Sequence, residues 1–124
     1  MNVVDSSAWL EYFADGPNAS YFAPAVEAVD ELVVPTITLL EVFKRMRQQR
    51  GRTAAYRAVA QMRLGRVVNL DRKLAIAAAR VSIERKLAVA DSIVLATAEA
   101  SAATLWTQDA DFDGMKSVRY RPKQ

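Results

Sequence analysis

The chain has 124 residues, about the length of one domain, and contains neither histidine nor cysteine. These absences exclude disulfides, thiolate nucleophiles, Ser-His-Asp triads and metal sites built on sulfur or imidazole. With 14 Asp and Glu, 17 Lys and Arg and a net charge of +3, catalysis would have to depend on carboxylates, which favours a hard divalent cation such as Mg²⁺.

Short apolar runs alternate with helical patterns from one end of the chain to the other. In chain order, we predict a strand at 2–4, helices at 6–13 and 19–31, a strand at 33–35, helices at 36–49 and 53–64, a strand at 67–70, helices at 72–86 and 91–100, a strand at 103–107, an acidic turn at 108–114 and a last short strand at 118–120. Pro35, Gly51 and Gly65 mark boundaries between these elements, and Asp71 is the expected N-cap of the fifth helix.

This alternation predicts an α/β fold. We expect a central parallel sheet of four to five short strands with helices on both faces. Ligands of such sheets bind beyond the carboxyl ends of the strands, near the point where the strand order reverses. The chain shows no internal repeat or linker, so residues 1–124 are expected to form one domain.

We expect a cytoplasmic protein without a membrane partner. The most apolar segment, 87–98, is interrupted by Asp91 and is too short to span a bilayer. The first residues lack the basic region and the apolar run of a signal peptide.

Charge is distributed unevenly along the chain. The segment 44–86 contains 13 basic and two acidic residues, whereas the rest of the chain contains four basic and 12 acidic residues. Basic side chains can simply cover the solvated faces of helices, but two consecutive helices with the same bias favour phosphate binding. The candidate contacts to a substrate are Lys44, Arg45, Arg47 and Arg50.

Several acidic residues fall near the ends of predicted strands. Asp5 follows the first strand, Glu41 lies in the early turns of the helix after the second, and Asp109 follows the fourth. Asp91 begins a helix that we expect to pack among them. Because the carboxyl ends of parallel strands lie at one edge of a sheet, these acids can converge there as a metal site requires.

Each acid also has a purely structural interpretation. Asp5 and Asp91 could be helix N-caps, and Glu41 could complete a capping box. The segment 109–114 is similar to a calcium loop, but Tyr120 stands where the loop requires glutamate, which excludes an EF-hand. These interpretations leave unexplained why four acids share one end of the predicted sheet.

Four segments in a fixed order carry a more specific pattern: Val3 to Ser7, Thr36 to Glu41, Leu87 to Asp91, and Leu105 to Phe112. This ordered set resembles the PIN-domain nuclease family and, within it, the VapC-like toxins of toxin–antitoxin pairs. The resemblance covers essentially the whole chain. One departure is Ala88-Val89, where relatives commonly carry a proline before the third acid.

The resemblance implies a metal-dependent ribonuclease. It places the acidic centre on Asp5, Glu41, Asp91 and Asp109, with Asp111 as an auxiliary acid. The ligands of Mg²⁺, or of Mn²⁺, would be the three aspartates at 5, 91 and 109. Glu41 would be a further ligand or would orient the attacking water.

The resemblance also implies supporting residues and partners. Ser6 and Thr107 match hydroxyl positions of the family and would orient the carboxylates, whereas Asp113 has no counterpart. VapC-like proteins are usually homodimers held inactive by a small antitoxin, so we expect an RNA substrate, a cognate antitoxin and a second copy of the chain. Candidates for the antitoxin groove, which could equally be core residues, are Tyr21, Phe22, Tyr56 and Met62.

Other possible functions require different residues. An aspartyl-phosphate enzyme would need Asp-x-Asp after the first strand, where this chain has Asp5-Ser6-Ser7, and the four glycines never form a phosphate loop. The alternative that remains is a non-catalytic RNA-binding or scaffold module on the same fold. Loss of one of the four acids would favour that alternative, but all four are present.

Overall fold

The apolar runs of the sequence form one parallel sheet in the computed structural model, which describes residues 1–124. The elements are β1 (Asn2–Val4), α1 (Ser6–Phe13), α2 (Ala19–Glu27), β2 (Leu32–Pro35), α3 (Thr36–Arg50), α4 (Arg52–Met62), β3 (Arg66–Val68), α5 (Arg72–Arg85), α6 (Val89–Ala100), β4 (Thr104–Thr107) and β5 (Val118–Tyr120). The sheet has five strands in the order β3-β2-β1-β4-β5, and every neighbouring pair is parallel. The predicted α/β fold is therefore confirmed.

The central strands are buried on both faces, which is why they contain consecutive valines instead of alternating polar residues. Val3 and Val33 face a core formed mainly with α5 and α6, which includes Leu105 and Phe112. Val4 and Val34 point to the opposite face and pack with residues of α1 to α4, including Trp9, Phe22 and Met62. The sheet thus lies between two layers of helices.

The strand order reverses at the centre of the sheet. The chain adds β2 and β3 on one side of β1 and then returns to place β4 and β5 on the other side. The backbone N–H of Asp5 donates to the carbonyl oxygen of Trp106 at 2.9 Å, so the carboxyl ends of β1 and β4 are held together. This reversal is where open α/β sheets bind ligands.

Most predicted helix and strand boundaries lie within two residues of those in the structure, but the end of the second helix differs by four. The sequence predicts one helix over 19–31, but α2 ends at Glu27 and residues 29–31 form a 3₁₀ turn. Leu32 is buried as the first residue of β2, so the chain must leave the helix early to bring it into the core. The helix predicted to begin at Asp91 begins at Val89, which places Asp91 inside its first turn.

Gly65 lies where the chain turns from α4 into β3. A Cβ atom at this position would lie 2.9 Å from the carbonyl oxygen of Leu32 and 3.0 Å from Cγ2 of Val34. The missing side chain therefore allows the chain to approach β2 closely before Arg66 pairs with Val33. None of the helices is both long and apolar enough to cross a membrane.

Candidate metal centre

Asp5 is a buried carboxylate at the end of β1, with 2% of its surface exposed. Its Oδ2 accepts hydrogen bonds from Ser7 Oγ at 2.8 Å and from Thr107 Oγ1 at 2.9 Å. Burial raises the pKa of Asp5 above its usual value, and the two hydroxyls act in the opposite direction. Asp5 occupies the N-cap position of α1, but its side chain makes no capping hydrogen bond.

The two hydroxyls also connect Asp5 to the segment after β4. Ser7 Oγ accepts the backbone N–H of Gln108 at 3.1 Å, and Thr107 Oγ1 accepts the backbone N–H of Asp109 at 2.9 Å. The turn that contains Asp109 is therefore held against the end of β1 through the side chains that orient Asp5.

A compact acidic cluster lies beside these strand ends. One carboxylate oxygen from each of Asp91, Asp109 and Asp111 lies within 4.8 Å of the others. Asp91 comes from the first turn of α6, where Ala88 is the N-cap, so its interpretation as a cap is wrong. Asp109 Oδ1 accepts the backbone N–H of Asp111 at 2.9 Å, which fixes the turn after β4.

The acids influence one another as a single electrostatic group. Burial, followed by the charge of Asp109 and then of Asp5, raises the pKa of Asp91 to about 7. Burial and the Asp5 carboxylate raise the pKa of Glu41, while the Ser6 hydroxyl lowers it. The structure thus brings all four predicted acids and Asp111 to one edge of the sheet.

Glu41 reaches this edge from the second turn of α3. That helix begins at Thr36 after Pro35, and the Thr38 hydroxyl donates to the carbonyl oxygen of Pro35 at 2.7 Å. Thr38 is therefore inside the helix, which rules out the capping box that would have given Glu41 a purely structural role.

The donor set fits a hard divalent cation. Three carboxylates supply oxygen ligands at close range, and their mutual repulsion raises the free energy of the protein when no cation compensates it. No basic side chain pairs with them, because the one ion pair in the structure joins Arg85 and Glu99. Asp113 is exposed and lies outside this cluster.

Sequence reasoning missed a second set of polar residues behind the acids. Asn18 is buried, and its Nδ2 donates to Gln108 Oε1 at 2.6 Å and to the carbonyl oxygen of Pro122 at 2.9 Å. Its backbone N–H donates to Glu11 Oε2 at 2.7 Å. Ser7, the hydroxyl next to the predicted Ser6, belongs to the same network. The contacts of the Asn18 side chain join residues 90 or more positions apart, and no local sequence pattern indicates them.

The predicted substrate contacts are exposed on α3, and two of them border different clefts. Arg45 lies one turn after Glu41 and borders a cleft that also contains Ser7. Arg50 borders a different cleft, against α4, and donates to the carbonyl oxygen of Phe13 at 3.3 Å. Lys44 and Arg47 are exposed and, like the other two, pair with no carboxylate.

Comparison with known proteins identifies the family. A family model described as the PIN domain matches residues 3–117, which include every acid of the cluster. The chain belongs to the PIN domain family. A search of curated protein sequences found no significant match.

Solved structures share the fold of this PIN domain over almost its whole length. A toxin–antitoxin complex from Klebsiella pneumoniae contains a chain that is 23% identical, with 96% of each chain covered and a TM-score of 0.80. The sarcin–ricin-loop-cleaving toxin VapC20 of Mycobacterium tuberculosis is 19% identical, with 96% of this chain and 99% of that chain covered and a TM-score of 0.77. PAE2754 of Pyrobaculum aerophilum is 25% identical, with 96% and 82% covered and a TM-score of 0.68.

Proposed function

We propose that this PIN domain is a ribonuclease that hydrolyses phosphodiester bonds with a bound Mg²⁺ or Mn²⁺. The acidic cluster is the observation that carries the proposal, since three carboxylate oxygens lie within 4.8 Å of one another where the strand order reverses. The fold shared with a toxin that cleaves the sarcin–ricin loop supports RNA as the substrate class.

The ligands we propose are Asp5, Asp91 and Asp109, with Asp111 as an additional acid in the cluster. When bound, the cation would activate a water molecule as the nucleophile and neutralise negative charge on the phosphodiester. Both hydroxyl hydrogen bonds to Asp5 reach Oδ2, so Oδ1 retains acceptor capacity. Glu41, with its raised pKa, would orient the attacking water by accepting a hydrogen bond from it.

The hydroxyl groups at the site would keep the carboxylates in a fixed orientation. Ser7 and Thr107 hold Asp5, and Ser6 faces Glu41. Residues of this kind, which contact a ligand side chain instead of the cation, commonly change metal affinity or activity by about 10-fold to 100-fold when removed.

We propose that the protein is the toxin of a VapBC-like pair and that a small antitoxin binds it. The complex from Klebsiella pneumoniae supports a partner of this kind. Phe22 and Met62 are fully buried, which agrees with the alternative that they are core residues and not part of the antitoxin groove. Tyr56 remains exposed on α4, and a cleft of about 440 Å³ between α1, α3 and α4 includes Phe13.

We also propose a homodimer that acts in the cytoplasm, where its RNA substrate would be found. An apolar cleft of about 390 Å³ between α5 and α6 supports the dimer, and it is lined by Leu70 and Ile93 among others. Ile83 and Val89 at this cleft are 79% and 73% exposed. Exposed apolar surface of this kind commonly marks an interface.

A cleavage assay with paired aspartate variants tests the proposed hydrolysis. Asp109→Asn removes a carboxylate of the cluster, and we expect it to reduce Mn²⁺-dependent cleavage of RNA by at least about 100-fold. Asp113→Asn removes an exposed acid outside the cluster and should leave cleavage unchanged. The readout is the initial rate of product formation with Mg²⁺, with Mn²⁺ and with EDTA.

Two results would contradict the proposal. The first is hydrolysis that persists in EDTA, and the second is equal activity of the two aspartate variants. If the wild-type chain binds RNA but does not cleave it with either cation, the alternative of a non-catalytic RNA-binding module is correct.

A further inference from the structure

A polar cleft of about 360 Å³ lies between α1 and α3 and is bordered by the last residues of the chain. Its volume falls in the range of sites that hold small ligands. The side chains that matter for its chemistry are Ser7, Glu11, Arg45, Gln49, Gln108 and Lys123.

The cleft adjoins the candidate metal centre. Ser7 belongs to both, because it lines the cleft and its Oγ donates to Asp5 Oδ2 at 2.8 Å. On α3, Arg45 and Gln49 follow Glu41 at intervals of four residues, so the three share one side of the helix. The eight residues from 41 to 49 span about 12 Å of helix. The cleft therefore extends from the acids along the groove between α1 and α3.

The side chains that line this cleft carry more positive than negative charge, with Arg45 and Lys123 against Glu11. Arg45 and Lys123 have no carboxylate partner. Glu11 accepts the backbone N–H of Asn18 at 2.7 Å and keeps its negative charge, so one positive charge remains in excess among the lining side chains. Two cations without intramolecular partners favour an anionic ligand, and phosphate is the anion that an adjoining phosphodiesterase site would present.

We propose that the cleft binds the RNA nucleotide next to the scissile phosphodiester, with Arg45 and Lys123 on its phosphate and the exposed amide of Gln49 facing its base. This proposal rests on the proposed hydrolysis of RNA. A peptide segment of a partner protein is the other possible occupant. RNA is favoured because only two of the nine lining residues are hydrophobic, whereas protein interfaces are anchored by buried apolar or aromatic side chains.

The salt dependence of RNA binding tests the phosphate contacts. Every variant carries Asp91→Asn, so that bound single-stranded RNA is not hydrolysed, and affinity is measured by fluorescence anisotropy across a salt series. Arg45→Ala should weaken binding by about tenfold and reduce the slope of log K against log salt by about 0.7, which is the value for one lost phosphate contact. Arg45→Lys keeps the charge and should restore most of the slope.

Arg80→Ala is the matched control. Arg80 is an exposed arginine of α5 with no carboxylate partner, and α5 packs on the opposite face of the sheet. We expect its removal to change the slope by much less than 0.7. Equal losses in the Arg45 and Arg80 variants would overturn the proposal, because they would indicate a general effect of net charge.

The contact between Gln49 and the base is tested by mapping the ends of RNA cleaved by protein that retains Asp91. Gln49→Ala should alter which nucleotide is preferred next to the cut, and an unchanged preference would overturn the contact to the base. Loss of antitoxin binding in Arg45→Ala, with RNA affinity unchanged, would overturn the proposal in favour of a peptide.

The same measurements separate this proposal from the proposed function. RNA binding could depend on salt and on Arg45 while the wild-type chain hydrolyses no RNA with Mn²⁺. This result would support RNA binding in the cleft and contradict the proposed hydrolysis. Conversely, the wild-type chain could hydrolyse RNA while Arg45→Ala and Arg80→Ala bind RNA equally well. This result would support the proposed hydrolysis and contradict RNA binding in the cleft.

Discussion

The charged form of Asp91 is disfavoured by the surroundings of this residue. Burial and the neighbouring carboxylates raise its pKa to about 7 from an ordinary value of 3.8. Because the folded-state pKa lies above the unfolded-state value, the unfolded chain releases this proton at lower pH. The contribution of Asp91 to stability is therefore present below about pH 4 and is lost as the pH rises towards 7.

Replacement of Asp91 by asparagine should stabilise the metal-free protein at pH 8 and have little effect at pH 4. At pH 8 the substitution removes a charge that its surroundings disfavour, whereas at pH 4 the aspartate is already neutral in the folded protein. Each kcal/mol gained should raise Tm by about 4 °C in a chain of this size. Thermal unfolding in EDTA, compared with wild type at each pH, measures the effect.

Addition of Mn²⁺ tests whether charge repulsion is the reason that Asp91→Asn stabilises the protein. It should raise the Tm of the wild-type protein at pH 8 and raise that of Asp91→Asn by less, because the cation compensates the same repulsion. An equal gain from the substitution at pH 4 and pH 8 would show that the charge of Asp91 is not responsible.

At the scale of elements, the junction between α4 and β3 depends on close packing. The position of Gly65 has no room for a Cβ atom beside Leu32 and Val34, so the glycine allows β3 to join the edge of the sheet. This edge strand is short and largely exposed.

Gly65→Ala should lower the free energy of unfolding by about 1 to 3 kcal/mol, the usual cost of forcing an extra carbon into a packed site. Denaturation in urea, monitored by circular dichroism, measures the loss. The control is Leu64→Ala at the preceding, exposed position, which should change stability by no more than about 0.5 kcal/mol. Equal stability of the two variants would mean that the backbone at 65 adjusts without cost.

At the scale of the whole molecule, the two helical layers offer different surfaces. The layer of α1 to α4 contains the basic residues of α3, and the layer of α5 and α6 presents the apolar cleft beside Ile83 and Val89. The single ion pair, Arg85 to Glu99, leaves nearly all basic side chains free to attract an anionic partner. An RNA and a second protein chain could thus be bound on separate faces.

Ile83→Glu should convert the proposed homodimer into a monomer, because it places a charge in the apolar cleft of α5 and α6. Sedimentation equilibrium over a range of protein concentrations measures the change. Leu64→Glu, which alters an exposed leucine on the other helical layer, should leave the oligomeric state as in the wild type. A wild-type chain that is monomeric at high concentration would contradict the dimer.

Much of the fold could be predicted because its signals are local. Runs of valine, boundary glycines and helical spacing correctly indicated five strands and six helices. The convergence of the acids also followed from one general property of parallel sheets, namely that their strand ends share an edge. The early end of α2 could not be predicted, because it depends on the burial of Leu32 in a sheet whose other strands come from distant parts of the sequence.

The supporting contacts of the site were beyond prediction for a related physical reason. Ser6 was expected to orient a carboxylate, and it faces Glu41, whereas Ser7 holds Asp5. Which carboxylate each serine reaches depends on how α1 is rotated against β4. Asn18 lies in the turn between the helices predicted at 6–13 and 19–31, and the partners of its side chain are 90 and 104 positions away. Hydrogen bonds over such separations are visible only in three dimensions.

The paired hydroxyls of Ser7 and Thr107 have a consequence for which side chains these positions accept. Each hydroxyl has one proton, and each gives it to Asp5 while its lone pairs receive a backbone N–H from Gln108 or Asp109. The direction of both hydrogen-bond chains is thereby set, from the main chain towards a single carboxylate oxygen. Serine and threonine can serve at either position. Valine matches threonine in shape but can neither donate nor accept a hydrogen bond, so at either position it would leave one backbone N–H without its hydroxyl partner and take from Asp5 one of its two hydroxyl hydrogen bonds.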